Sequence, residues 1–159
     1  MNKISVGTLI IALFIPLVIG GASAALSAQG MIMYRTMQKP PLSPPAWLFS
    51  VAWTILYLMM GLASYFIIVT GTNNRAKAMA LIIYALQLAM NFMWSILFFN
   101  WRIYLFAFFW LIAMWLIVIV CTVRFYSINR IATYLFIPYI LWLSFAAYLN
   151  LGSYILNKK

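Results

Sequence analysis

Amide and aromatic side chains within otherwise apolar segments are the groups in this sequence best suited to chemistry. Gln87, Asn91, Trp94 and Phe98 follow one another at spacings of four, three and four residues. At about 100° per residue, these spacings place all four on one face of a helix, within an arc of roughly 60°. Such a face can hydrogen-bond a polar group through its amides and stack a flat ring on its aromatic side chains. We therefore predict that Gln87 and Asn91 face the protein interior.

Two other apolar segments carry aromatic residues at helical spacing. In one of them, every fourth residue from position 53 belongs to the set Trp53, Tyr57 and Gly61. In the other it is Pro138, Trp142, Ala146 and Asn150. Each segment thus presents a large ring beside small residues on one face. The two tryptophans fit a cavity wall and an interfacial aromatic belt equally well, and the buried amides also fit simple bonding between helices.

Acidic residues and histidine, on which most hydrolytic chemistry depends, are missing from the chain. Their absence excludes paired-carboxylate catalysis, a Ser/His/Asp triad, a histidine-based metal site and a carboxylate proton relay. The single cysteine, Cys121, lies inside an apolar segment, where a small buried hydrophobic residue is a better interpretation than a reactive thiol. We expect no metal site and no required cofactor.

The composition is typical of an integral membrane protein. Of 159 residues, 68% are hydrophobic and 6% are charged, more apolar surface than a soluble domain of this length can bury. A helix of about 20 apolar residues spans the hydrocarbon core. The runs are continuous rather than alternating, which favours helices over barrel strands. We predict one all-α domain of five transmembrane helices, at residues 4–27, 47–70, 78–99, 103–123 and 131–157.

The first of these segments also has features of a secretory signal peptide. Lys3 precedes an apolar run, which reaches the small triplet Ala22-Ser23-Ala24. The apolar run continues past the triplet, and this favours a retained transmembrane helix.

The net charge of +10 comes from lysine and arginine residues on both predicted membrane faces. Five lie on each face, so the positive-inside rule gives no orientation. Because the cations are dispersed, we expect the lipid bilayer as their partner and not nucleic acid.

The longest connection, residues 28–46, is rich in proline. Four of the six prolines of the chain lie in residues 40–45. Proline removes a backbone donor and fixes φ, so this stretch is extended and stiff. We predict a loop that acts as a lid or brace, with Arg35, Lys39, Pro40, Pro44 and Pro45 as its principal residues.

A second stripe on the third predicted helix consists of small residues. Ala85 and Ala89 lie about 160° from the Gln87/Asn91 face. A small-xxx-small stripe lets another helix approach closely. We predict that Ala85 and Ala89 lie near a homodimer contact.

The residues between about Tyr34 and Asn150 resemble the signature of the TspO/MBR family, which comprises tryptophan-rich sensory proteins and mitochondrial translocator proteins (peripheral-type benzodiazepine receptors). The matching residues are Lys39-Pro40, Pro44-Pro45-Ala46-Trp47, Trp53, Leu56-Tyr57, Met60-Gly61, Gln87-Leu88-Ala89-Met90-Asn91, Trp94, Phe98-Phe99, Pro138-Tyr139, Leu141-Trp142, Phe145-Ala146 and Leu149-Asn150.

The resemblance implies a membrane receptor or sensor, usually a homodimer, that binds porphyrins, heme and benzodiazepine-type ligands beneath the first loop. It assigns ligand contacts to Tyr34, Trp53, Tyr57, Gln87, Asn91, Trp94, Trp142, Ala146 and Asn150. It also makes a bacterial cell membrane the expected location.

Two alternative functions follow from the same resemblance. One is a light- and oxygen-dependent enzyme that degrades porphyrin, with Trp53 and Trp142 as its candidate catalytic residues. The other is a transporter of tetrapyrroles or sterols. Leu149, Tyr154 and Lys158 match a loose sterol consensus.

Overall fold

A computed structural model describes residues 5–158, and these residues form a bundle of α-helices. The helices are α1 (Val6–Leu26), α2 (Ala28–Tyr34), α3 (Ala46–Val69), α4 (Asn74–Ser95), α5 (Tyr104–Tyr126) and α6 (Arg130–Asn157), and a π-helical turn, Ile96–Asn100, extends α4. All but α2 are long and apolar enough to cross a membrane. The prediction of an all-α protein with five transmembrane helices is confirmed. Lys3, Lys159 and the predicted first residue of the first span, residue 4, lie outside the described residues.

The predicted start of α4 and the predicted end of α5 were wrong, because a charged residue does not end either helix. Helix α4 begins at Asn74 instead of residue 78, since the Asn73 side chain caps it by accepting a hydrogen bond from the Arg75 amide at 2.8 Å. Helix α5 continues beyond residue 123 to Tyr126 and includes Arg124 in its last turn. A cation is favourable there because it complements the helix dipole.

The predicted loop at residues 28–46 is shorter than expected. Its first seven residues form α2, and the non-helical segment is confined to residues 35–45. This segment is not extended throughout, because it turns at residues 35–36 and 41–42 and Leu42 has a φ of 66°. Residues 28–34 contain no proline, so nothing prevents a helical turn before the proline-rich stretch. Helix α2 lies against the π-helical turn so closely that a Cβ atom on Gly30 would collide with the Phe99 backbone.

The loop is fastened to the C-terminal half of α6. The Tyr148 hydroxyl donates to the Pro41 carbonyl at 2.9 Å. Asn157 and Gln38 exchange two hydrogen bonds: the Asn157 Nδ2 donates to the Gln38 carbonyl at 2.8 Å, and the Gln38 amide donates to Asn157 Oδ1 at 3.2 Å. These contacts fix the segment against α6, and its role as a lid stays a prediction.

Helix α1 is the most peripheral of the five spans. It buries four residues, Ala12, Pro16, Gly20 and Ser23, whereas α3 buries nine. It packs closely on α3 at Gly61, where an added Cβ would lie 2.8 Å from the Ala12 carbonyl oxygen. Small residues thus hold α1 close to α3.

The two faces of α4 have the environments that their spacing predicted. Gln87 and Asn91 are buried, while Ala85 and Ala89 are exposed on the outer face. The role of the two alanines in a dimer stays a prediction.

Candidate functional site

A buried polar network joins α3, α4 and α6. The Tyr57 hydroxyl donates to Asn91 Oδ1 at 2.6 Å, and Asn91 Nδ2 donates to the Tyr139 hydroxyl at 3.0 Å. The Tyr139 hydroxyl in turn donates to Gln87 Oε1 at 3.0 Å. In a low-dielectric interior each of these groups needs a partner, so the network fixes the three helices relative to one another.

The network changes the interpretation of the two α4 amides. Both oxygens and the Asn91 nitrogen already bond to tyrosine hydroxyls, and the Gln87 Nε2 contacts the Met60 sulfur at 3.8 Å. Gln87 and Asn91 therefore lie behind Tyr57, outside the lining of the aromatic cavity between α1, α3 and α4. Sequence reasoning had quoted Tyr139 as part of the family signature but had given it no role, although it begins a spacing of four, three and four that continues to Leu143, Ala146 and Asn150.

A cavity of about 230 Å³ lies between α1, α3 and α4, in the half of the membrane nearest the 35–45 loop. Its aromatic wall is formed by Phe49, Trp53, Tyr57, Trp94 and Phe99. The opposite wall, on α1, is formed by Leu17 and by the small residues Gly20, Gly21, Ser23 and Ala24. Gly20 packs directly on the Tyr57 ring, where an added Cβ would lie 2.5 Å from a ring carbon. The rim residues Gly21, Ala24, Ser50 and Thr54 are exposed on the outer surface of the spans, so the cavity opens laterally toward lipid.

Trp53 is the centre of the aromatic cluster. Its ring stacks on Tyr57 with centroids 5.6 Å apart and lies 6.3 Å from the Trp94 ring. Trp142 meets Trp53 edge to face at 6.3 Å and does not line the cavity. Because the two indoles touch, no flat ligand fits between them, and only Trp53 of the two candidate catalytic residues faces the open space.

The structure divides the nine predicted ligand contacts into three groups. Trp53, Tyr57 and Trp94 line the cavity. Tyr34 lies toward the loop, with its ring 6.2 Å from that of Phe49, and lines a separate hollow beside α2. The other five, Gln87, Asn91, Trp142, Ala146 and Asn150, lie outside the cavity lining.

Asn150 supports the cavity wall from behind. Its Oδ1 accepts a hydrogen bond from the Trp94 indole at 3.1 Å, and its Nδ2 donates to the Tyr104 carbonyl at 2.7 Å. This pair of hydrogen bonds fixes the orientation in which the Trp94 ring lines the cavity.

Sequence reasoning missed the α1 wall of the cavity. The signal was the run of small residues from Gly20 to Ala24 in an otherwise bulky apolar helix. That run includes Ala22-Ser23-Ala24, the triplet that resembles the cleavage site of a secretory signal peptide. Ser27, which follows α1, also lines the cavity, and its buried hydroxyl has no hydrogen-bond partner among the described residues.

One cation of the loop, Lys39, lies above the aromatic rings at the loop end of the cavity. The Lys39 ammonium is 5.1 Å from the centre of the Tyr34 ring and donates to the Arg35 carbonyl at 3.4 Å. Burial raises the pKa of the Tyr34 hydroxyl above its ordinary value, so the ring stays neutral beneath the cation. Because Tyr34 contacts Phe49 of the cavity wall, Lys39 is separated from the cavity by two rings. The Arg35 side chain is exposed.

The lid prolines occupy three different environments. Pro40 is buried against α6, where a Cβ on Gly152 would lie 2.6 Å from its ring. Pro44 is half-buried, and Pro45 is the N-cap residue of α3. The segment is thus continuous with the helix that carries Phe49 and Trp53.

Known proteins share these features over nearly the whole chain. The model of the TspO/MBR family matches residues 11–155. The chain is 32% identical to the tryptophan-rich protein TspO of Chlorobaculum tepidum over 158 residues, covering 99% of each chain. It is 37% identical to the protein of the same name from Archaeoglobus fulgidus, covering 89% of this chain and 91% of the relative. It is 35% identical to the translocator protein of Ovis aries, covering 79% and 75% respectively. The chain therefore belongs to the TspO/MBR family and is a multi-pass integral membrane protein.

Proposed function

We propose that this protein is a membrane receptor or sensor that binds a porphyrin or related tetrapyrrole in the cavity between α1, α3 and α4. The observation that carries the proposal is the wall of Trp53, Tyr57 and Trp94 opposite small residues of α1. A flat conjugated ring gains dispersion and quadrupole interactions on such a wall. Gly21 and Ala24, which are exposed at the rim, leave room for its second face, whereas Gly20 packs on the Tyr57 ring. Benzodiazepine-type ligands, which also contain flat rings, suit the same wall.

The size of the cavity sets a condition on binding. Ligand pockets in proteins usually enclose about 300–1,000 Å³, and this one holds about 230 Å³. A tetrapyrrole must therefore extend through the lateral opening or displace α1 outward. Such a displacement would separate Gly20 from the Tyr57 ring and Gly61 from Ala12, which now lie in close contact.

Charge also supports a tetrapyrrole. The propionate groups of a porphyrin are anions, and Lys39 and Arg35 supply cations toward the loop end of the cavity. The pairing of carboxylates with Lys and Arg is stronger near a membrane than in bulk water because the local dielectric constant is lower. We propose that the propionates point toward the loop.

Titration of the purified protein in lipid nanodiscs with protoporphyrin, heme and a sterol tests the proposal. We expect saturable binding of protoporphyrin at one molecule per chain, with a shift of its absorption band. Heme should bind with comparable affinity, because the chain has no histidine to ligate iron and the binding energy comes from ring packing. Binding that never saturates, or an affinity equal to that of empty nanodiscs, would contradict the proposal.

Light- and oxygen-dependent degradation of porphyrin is the second candidate, favoured by the contact between Trp53 at the cavity and Trp142 behind it. Indole is oxidised more easily than phenyl. Trp53→Phe should therefore slow porphyrin loss under illumination in air at saturating ligand, while protoporphyrin affinity changes by no more than about tenfold, the order of one aromatic contact. Trp101→Phe, at an exposed tryptophan, is the matched control. Equal loss in wild type, variant and protein-free nanodiscs would rule out the enzyme and leave the binding proposal standing.

The names of relatives support a membrane location for this protein, but they do not distinguish sensing from transport. They carry the names tryptophan-rich sensory protein and translocator protein. We propose a bacterial cell membrane as the location, on the strength of the full-length match to the Chlorobaculum protein, and a homodimer through the Ala85/Ala89 face. Sustained tetrapyrrole flux into sealed liposomes would instead favour transport.

A further inference from the structure

An open groove lies between the start of α5 and the end of α6, away from the aromatic cavity. It is lined by Arg102, Ile103, Tyr104, Leu105, Phe106, Tyr154, Asn157 and Lys158. Tyr104 is the first residue of one span and Lys158 caps another, so the groove lies at the membrane boundary on the loop side. Its volume, about 530 Å³, is larger than that of the aromatic cavity.

The two cations of the groove lack an acidic partner. The chain contains no aspartate or glutamate, so no side-chain carboxylate can neutralise them. Within residues 5–158, the only hydrogen-bond acceptor found for the Arg102 guanidinium is the Met33 thioether, a weak acceptor. The Lys158 ammonium has no hydrogen-bond partner in the same part of the chain.

Three other cations of the protein contact its own groups, whereas Arg35, Arg75 and Arg124 are exposed side chains outside the groove. Lys39 and Arg130 lie over the Tyr34 and Tyr126 rings, and Lys77 donates to the Ile68 carbonyl at 3.2 Å. Arg102 and Lys158 differ because they share one groove with open space between its walls. Two unneutralised cations in one groove call for an external anion.

The apolar side of the groove indicates the kind of molecule that carries the anion. Leu105 and Phe106 are 40% and 53% exposed and continue the groove along α5 into the membrane. Tyr104 and Tyr154 lie where aromatic residues meet the headgroup layer. We propose that the groove binds an anionic phospholipid of the loop-side leaflet, with its phosphate between Arg102 and Lys158 and an acyl chain along Leu105 and Phe106.

A sterol is a poorer occupant of this groove. Of the three residues that match the sterol consensus, Leu149 is buried, and only Tyr154 and Lys158 line the groove. A sterol hydroxyl would also leave both cations without a counter-ion.

Native mass spectrometry of the full chain, released from detergent containing equal amounts of phosphatidylglycerol and phosphatidylcholine, tests this site. We expect one retained phosphatidylglycerol per chain in preference to phosphatidylcholine. The double variant Arg102→Gln/Lys158→Gln should lower that retention at least about fivefold, in line with the loss of two charge-assisted contacts. The matched control is Arg75→Gln/Arg124→Gln, which removes the same charge from exposed positions on the opposite membrane face.

Two single variants test the site even if the double variant does not fold. Lys158 is exposed and caps the end of α6, so Lys158→Gln alone should fold and still reduce retention, and Arg102→Lys should restore part of it. Equal loss in the control double variant would show diffuse attraction by net charge and overturn the site. Equal retention of phosphatidylcholine, or full competition by soluble glycerol phosphate without acyl chains, would also overturn it.

Discussion

Replacement of Gly21 with phenylalanine is expected to lower the affinity for protoporphyrin by at least about tenfold, a loss of about 1.4 kcal/mol. Gly21 lines the cavity wall opposite the aromatic cluster and is exposed at its rim. A Cβ atom added there meets nothing within 4 Å, so a side chain can be accommodated without displacing neighbours. The added ring then occupies space that the proposed ligand needs. The variant leaves Trp53, Tyr57 and Trp94 unchanged, so a loss of binding reports on the cavity itself.

Gly7→Phe is the matched control for this experiment. Gly7 lies on the same helix, is exposed, and also has nothing within 4 Å of an added Cβ, but it does not line the cavity. Both variants should keep the thermal stability of the wild type, because phenylalanine has at least the helix propensity of glycine. If Gly21→Phe binds protoporphyrin as well as Gly7→Phe does, the tetrapyrrole binds elsewhere.

Replacement of Asn91 with leucine is expected to destabilise the bundle by about 1–3 kcal/mol, the cost of leaving a buried hydroxyl unpaired. Asn91 is 1% exposed and is the acceptor for the Tyr57 hydroxyl, a bond of 2.6 Å. Leucine has a similar size but cannot accept a hydrogen bond. The midpoint of thermal unfolding in detergent, followed by helical circular dichroism, measures the effect.

A second substitution distinguishes the lost bond from a packing defect. Tyr57→Phe in the Asn91→Leu background removes the stranded hydroxyl and should restore part of the stability, because replacing both partners of a buried bond costs less than replacing one. Asn74→Leu, at an exposed position at the start of α4, should change the midpoint little. A double variant less stable than Asn91→Leu would mean that the network contributes nothing beyond packing.

Much of the fold was predictable from sequence because a bilayer imposes strict length and polarity limits on each span. The inward face of α4 was predictable for a related reason: an amide in hydrocarbon must find a partner, so Gln87 and Asn91 had to turn toward other helices. The periodicity also placed Trp53 and Tyr57 on one face, where the structure brings them together at one cavity wall.

The composition of the cavity was less predictable, because it depends on how helices pair in three dimensions. A pattern of aromatic residues does not tell which ring faces open space and which packs behind, so Trp142 was grouped with Trp53 although only Trp53 lines the cavity. The opposite wall includes small residues of α1, and these matter because a small side chain leaves the adjacent space open. The role of Tyr139, which appeared only as part of the family signature, was missed for a third reason: its hydroxyl becomes significant only when it meets the amides of another helix.

Paramagnetic broadening of the tryptophan indole signals by manganese(III) protoporphyrin tests the central claim most directly. The seven tryptophans provide seven indole N–H probes at different depths and faces of the bundle. If the tetrapyrrole binds in the cavity, the Trp53 and Trp94 signals should broaden first, at the lowest ratio of ligand to protein. The Trp115 indole, bonded to Ser144 on the α5–α6 side, should broaden last. Broadening that begins at the exposed Trp101, or that affects all seven signals equally, would show surface partitioning and contradict binding in the cavity.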